Sequence, residues 1–201
     1  MGAEVSTSRT LRGERTAARL RTAARAVFAR LGYASARVED VVAEAGVSHG
    51  TFYTYYENKA AVLDALIDAT AVELLQVVEE PWEGPDVEAT VESVIDRFLE
   101  VFLEHGDVVR VWLEASAHEP HFRARLREVR AGYVSRVAEN LAPGLTGTPH
   151  DPQVAAAALV AMVEGYATEG LAGAGAGERA SVVVTLAAIW FGGLTRLVQE
   201  S

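Results

Sequence analysis

Gly46-Val47-Ser48 is the strongest single constraint on what this 201-residue chain can fold into. The tripeptide separates two short runs of helical periodicity, and its glycine supplies the left-handed backbone geometry that a tight helix–helix turn needs. Before it, Val38, Val41, Val42 and Ala45 make one short helix. After it, Ser48 is placed to cap another by accepting a hydrogen bond from an early amide. Val41, Val47 and Phe52 are spaced so that both short helices pack on a longer preceding one. In that first helix Leu20, Ala24, Val27, Phe28 and Leu31 share a face, with Arg12, Arg15, Arg19 and Arg30 opposite, and Gly32 stops it.

Strand signals are weak in the remainder, so the expected fold class is all-α with about nine helices. Asn58 is placed to cap a fourth helix running to about Glu80, and Pro81 and Pro85 break the pattern. Residues 86–105 read as the fifth helix and 107–117 as the sixth. Pro120 opens a seventh that ends near Leu141, and residues 143–149 are a loop. Asp151-Pro152 is a cap followed by a first turn for helix eight, residues 151–171. A small-residue loop at 173–177 leads into helix nine, 178–199.

The absence of cysteine excludes a disulfide scaffold and thiolate chemistry and fits a reducing, cytoplasmic location. The start of the chain, to Arg12, has no apolar centre, so no secretory signal is expected. The most apolar stretch, between Arg179 and Arg196, falls short of the roughly 20 residues a membrane span requires and reads as a buried helix. The net charge of -10 argues against nucleic acid until its distribution is considered. Residues 1–59 carry eight Arg and one Lys against six acidic residues, whereas residues 60–201 carry nine Arg against 22. A basic module on an acidic body has this asymmetry.

The exposed face of the third helix offers His49, Gly50, Thr51, Tyr53 and Tyr55 within seven residues. A helical glycine costs about 1 kcal/mol relative to alanine, and close approach to a DNA groove supplies a reason for Gly50. His49 and Thr51 suit base edges or phosphates, and Tyr53 and Tyr55 suit phosphate oxygens. Lys59 is the only lysine, at the start of helix four, where ammonium and backbone amides together favour a phosphate. Chance in an Arg-rich chain is the alternative. Residues 1–8 are expected to be a mobile tail, with Arg9 and Arg12 reaching for phosphates as the other reading.

The run from Val38 to Lys59, VEDVVAEAGVSHGTFYTYYENK, closely resembles the DNA-binding signature of TetR-family regulators. Phe28 to Tyr33 is similar to that family's first-helix ending, and the likeness spans about residues 15–66. The resemblance implies groove contacts from His49, Gly50, Thr51 and Tyr53 and phosphate contacts from Ser48, Tyr55 and Lys59, with Phe52 and Tyr56 packed inward. Ala36 and Arg37 stand where many members have hydroxyl residues, so Ser35 is expected to cap instead and Arg37 to supply the phosphate contact. Implied organisation is a helix-turn-helix DNA-binding domain at 9–59, with helix four from residue 58 as the link, and a ligand-binding and dimerisation domain at 60–201. The implied function is a ligand-released repressor that binds a palindromic operator as a homodimer.

Helix nine is apolar nearly all round, which calls for burial on several sides. A four-helix dimer interface meets that need, through Leu159, Val163, Val183, Leu186, Ile189, Trp190 and Leu194; a central helix in a monomer is the bland alternative. Ile189-Trp190-Phe191 looks like the dimer-forming last helix of ethionamide-resistance repressors. For the effector cavity that the resemblance implies, the candidates are Phe98, Phe102, Trp112, Tyr133, Met162 and Tyr166, taking a small, largely apolar molecule. Glu164 and Glu169 either read a polar ligand group or are solvated. No cofactor and no metal are called for: His118, Glu119 and His121 fit a helix-start turn better than a ligand set. Two rivals stand beside the regulator, an all-helical enzyme using Glu114, His118 and His121, and a helical adaptor that binds only protein.

Overall fold

The computed structural model describes the backbone of residues 2–79, 81–82, 87–169 and 176–199, and side chains for 12–79, 81–82, 88–168 and 179–193. Among these residues the structure is wholly helical: α1 (Gly2–Ser35), α2 (Val38–Ala45), α3 (His49–Tyr55), α4 (Lys59–Val77), α5 (Val87–Glu104), α6 (Gly106–His118), α7 (Pro120–Leu141), α8 (Pro152–Glu169) and α9 (Ala176–Gln199). The expected loop at 173–177 and the expected end of helix eight lie largely outside the described residues. No helix among the described residues is long and apolar enough to cross a membrane.

The sequence sets the domain boundary at residue 59, whereas the chain packs into two compact units with other bounds. One compact unit comprises Met1–Thr70 and Gly106–Leu126, the other Ala71–His105 and Arg127–Ser201. Helix α6 therefore belongs with the helix-turn-helix, a pairing across some eighty residues that no local pattern reveals. In this first unit Leu20, Ala24, Val27 and Phe28 of α1 are buried, as are Val41, Phe52, Leu63, Ile67, Trp112 and Phe122. Each large side chain buried this fully stabilises the unit by about 2 kcal/mol relative to exposure. Leu31, expected on the same face, is instead exposed, because Gly32 leaves helical geometry with φ 74° and ψ 164° one residue later. At its other end α1 reaches back to Gly2, through residues expected to be a mobile tail. No proline lies there to break it.

The second unit packs α5 against α8 and α9. Its core includes Val91, Leu99, Val137, Ala156 and Ala187. The cap expected for α8 forms, with the Gln153 N–H donating to Asp151 Oδ1 at 2.8 Å. Helix α9 buries Val182, Val183, Leu186, Ala187 and Trp190 within one chain and leaves Val184 and Ile189 exposed.

Candidate nucleic-acid interface and body cavity

The reading helix is set by its two ends. At the close of α2, Gly46 takes φ 62° and ψ 42°, and its N–H bonds the Ala43 carbonyl while the Val47 N–H bonds that of Val42. This left-handed exit reverses the chain without steric cost. Arg19 of α1 donates to the Ala45 carbonyl at 2.5 Å, tying the exit to the first helix. Ser48 then caps α3: its Oγ accepts the Thr51 N–H at 3.1 Å and lies 2.9 Å from the Thr51 hydroxyl. On the inner side Phe52 is wholly buried, and its ring meets those of Tyr53 and Tyr56 at 5.5 and 5.9 Å. The Tyr56 hydroxyl accepts from Arg21.

The outer side carries His49, Gly50, Tyr53 and Tyr55, all exposed, with Thr51 half-buried. A Cβ added to Gly50 would find only Ser48 Oγ, at 3.9 Å, so no neighbour in the protein demands a glycine there. Tyr55 lies along α1, its hydroxyl 3.6 Å from where a Gly13 Cβ would be. Arg37 is exposed, and its guanidinium has no partner among the described residues. Arg37 is itself the N-cap of α2, its N–H donating to Asp40 Oδ2 at 2.9 Å, so the cap expected from Ser35 is not made.

Lys59, expected to contact phosphate, spends its ammonium inside the protein. Its Nζ donates to the carbonyls of Tyr33, Ala34 and Ala36 at 2.7, 3.2 and 3.0 Å and sits 4.5 Å from the centre of the Tyr33 ring. All three ammonium hydrogens are thereby committed to the turn after Gly32. From the other side Glu114 of α6 accepts the Tyr33 and Ala34 N–H groups, both at 3.1 Å. The turn is thus clamped by a cation on its carbonyls and an anion on its amides. Gly32 is needed twice over, for its positive φ and because a Cβ would stand 3.0 Å from the Glu114 carboxylate. Burial, then a hydrogen bond to Glu119, push the Tyr33 phenol above its ordinary range, so it remains a neutral donor. The same α1–α6 contact includes a two-bond pair, Arg25 to Asp107, with both distances 2.7 Å.

The second unit holds a small apolar cavity of about 30 Å³, walled by residues of α5, α7 and α8 together with Val78 and Trp82. Phe98 and Tyr133, two of the effector-cavity candidates, line it, and so do Leu159 and Val163, expected at a dimer interface. Phe102 stacks behind Phe98 at 6.1 Å. Trp112 is not in this unit at all: it is core beneath α1, with Nε1 donating to the Phe122 carbonyl at 3.1 Å. Met162 lines a shallow groove between α8 and α9 with Ala155, Ala158, Ile189 and Gly193, and Tyr166 lines neither. Tyr133 donates to Glu164, which also pairs with Arg130 at 2.9 Å, so Glu164 is engaged rather than solvated. Glu169 lies outside the described side chains.

Of the expected interface residues, Leu159, Val163, Val183, Leu186 and Trp190 are buried within one chain, and Ile189 is exposed. Leu194 falls outside the described side chains. Trp82 was missed as a cavity residue, since the sequence placed it only in a proline-bounded break. Of the groups considered for catalysis, Glu114 is held in the clamp and His121 lies 2.8 Å from Asp64.

Residues 20–66 match the profile of bacterial regulatory proteins of the tetR family. Residues 87–189 match that of the C-terminal part of BetI-type transcriptional repressors, and this is the narrower likeness found for the body. An HTH-type transcriptional repressor of Streptomyces coelicolor is 33% identical over 98 residues, covering 49% of this chain and 48% of its own length. The regulator UidR of Escherichia coli is 28% identical over 127 residues, 63% of this chain and 64% of its own length. The chain therefore aligns with about half to two-thirds of these relatives. Among solved structures, the fatty acid degradation regulator FadR from Bacillus halodurans superposes with a TM-score of 0.73 at 22% identity, covering 89% of this chain and 96% of its own. Salmonella enterica GusR gives 0.74 at 21%, covering 92% and 95%. At such identities the likeness is one of fold.

Proposed function

The chain belongs to the TetR family of bacterial regulatory proteins, and from that premise we propose that it is a ligand-released transcriptional repressor, homodimeric on a palindromic operator. The observation that carries the reading is the outer face of α3. Its inner side is locked by Phe52 and the Ser48 cap, while Gly50 has no internal reason to be glycine and His49 and Tyr53 stand free. A rigid helix with a bare backbone patch beside aromatic hydroxyls suits a major groove and its phosphates. Arg37, whose guanidinium has no partner among the described residues, supplies the phosphate contact expected of it.

Release would be driven by the body. Helix α4 begins in one unit with Lys59 and ends in the other at Val77, next to Val78 of the cavity wall. An effector too large for this small cavity must move that wall. It lowers operator affinity only if it binds the non-DNA-binding arrangement more tightly. Selecting bound sequences from random DNA tests the first half: a palindrome with half-sites about one helical turn apart is expected. Failure to enrich any sequence would remove the proposal. A protein-only adaptor is separated by salt, since DNA affinity should fall steeply as salt rises.

A further inference from the structure

Trp82 carries a buried polar atom, its indole Nε1, with no hydrogen-bond partner among the described residues. Its ring is 8% exposed, and it lines the cavity. Its position is fixed rather than free to swing: the backbone N–H donates to Asn140 Oδ1 at 2.9 Å, and the ring meets Trp190 edge to face at 5.5 Å. An indole N–H only donates, and a buried donor left unpaired is unfavourable. The cavity around it is hydrocarbon, including Val91, Ile95, Val137 and Val160. A water molecule settles where it finds about two to four polar partners, more than this lining offers.

The remaining polar group on the wall is already committed. Tyr133 donates its hydroxyl to Glu164, whose charge is answered by Arg130. Burial and then Glu164 keep that phenol protonated far above its ordinary range, so the arrangement persists at any physiological pH. Among the described residues that line the cavity none is cationic, so a ligand carboxylate would be desolvated there with one neutral donor to receive it.

We infer that the effector is an uncharged molecule with an apolar body and a carbonyl-type acceptor, received by the Trp82 indole N–H. This rests on the reading of the cavity as the effector site. The test uses the whole DNA-free protein labelled with 15N and three probes of one length: 2-heptanone, n-heptane and heptanoate. The ketone should bind roughly tenfold or more tightly than either of the others, the difference expected when a buried donor finds its acceptor. The Trp82 indole signal should move downfield with the ketone, while that of Trp112, already bonded to the Phe122 carbonyl, stays in place. Trp82→Phe keeps an aromatic ring and removes the donor, and should bring ketone affinity down to that of heptane. Equal binding of ketone and alkane overturns the inference. So does tighter binding of heptanoate, an unmoved Trp82 signal, or a Phe variant that still prefers the ketone. The wild-type titration decides alone should that variant fail to fold. Operator affinity is then measured at saturating ketone. If the ketone binds as expected and DNA affinity is unchanged, the recognition chemistry stands and the ligand-released reading falls. If heptanoate releases DNA and the ketone does not, the release stands and this inference falls.

Discussion

At Gly50 two demands pull in opposite directions, and one substitution separates them. Its backbone is helical and an added methyl meets nothing closer than 3.9 Å, so alanine should stabilise α3 by about 1 kcal/mol. For a protein of this size that corresponds to a rise of about 2–4 °C in Tm. The same methyl would stand between backbone and groove, so Gly50→Ala is expected to melt higher yet bind operator at least tenfold more weakly. A variant that gains stability and keeps full affinity would dismiss the close-approach argument. Lys59 and Arg37 make a second contrast. Loss of a lysine that contacts phosphate lowers the salt slope of DNA binding by about one. Lys59 spends its hydrogens on three carbonyls, so Lys59→Ala should lower the Tm and leave that slope unchanged. Arg37→Ala should do the reverse, and the two slopes, measured side by side, check both assignments.

At the scale of elements, the boundaries legible in the sequence are those written locally. Gly46, Ser48, Asn58, Pro120 and Asp151-Pro152 each act within a turn of themselves, and each acts where expected. What sequence could not show is which helix meets which. Helix α6 packs on α1 through Arg25–Asp107 and Glu114, pairings some eighty residues apart. The partners of Lys59, 23 to 26 residues away, and the cavity position of Trp82 are also non-local, so no local pattern reveals them. Helix periodicity marked α9 as apolar on more than one side but could not say which side its own chain would cover. The α1–α6 contact carries a pH signature. Burial alone would raise the Asp107 pKa, but the Arg25 guanidinium outweighs it and the carboxyl lies below the usual range. A depressed carboxyl contributes fully above its unfolded pKa of about 4 and loses that contribution as pH falls through the folded value. Denaturation midpoints followed downward from pH 6 should therefore fall less steeply in acid for Asp107→Asn than for wild type. Parallel acid limbs would show that the pair carries no linkage.

For the whole molecule, the question is what covers the outer side of α8 and α9. Ile189 is 58% exposed and Val154 is 67% exposed. Between the two helices runs a groove floored by Ala155, Ala158 and Met162, and Gly192 and Gly193 open onto free space. Small residues beside a protruding isoleucine let a second helix pair approach closely, as a self-complementary two-fold contact requires. Leu159, Val163, Val183, Leu186 and Trp190 of the expected interface are interior residues of one chain, so substituting them would test folding and not assembly. Ile189→Glu is the informative change. It adds a charge at an exposed position, where folding of the single chain tolerates it, but in the proposed interface that charge would be desolvated. The variant should sediment as a monomer with an unchanged helical spectrum. A monomer offers one reading head, so it should bind a full palindrome about as weakly as a lone half-site, whereas the wild type should prefer the palindrome strongly. A dimeric Ile189→Glu protein that keeps that preference would move the interface away from α8 and α9.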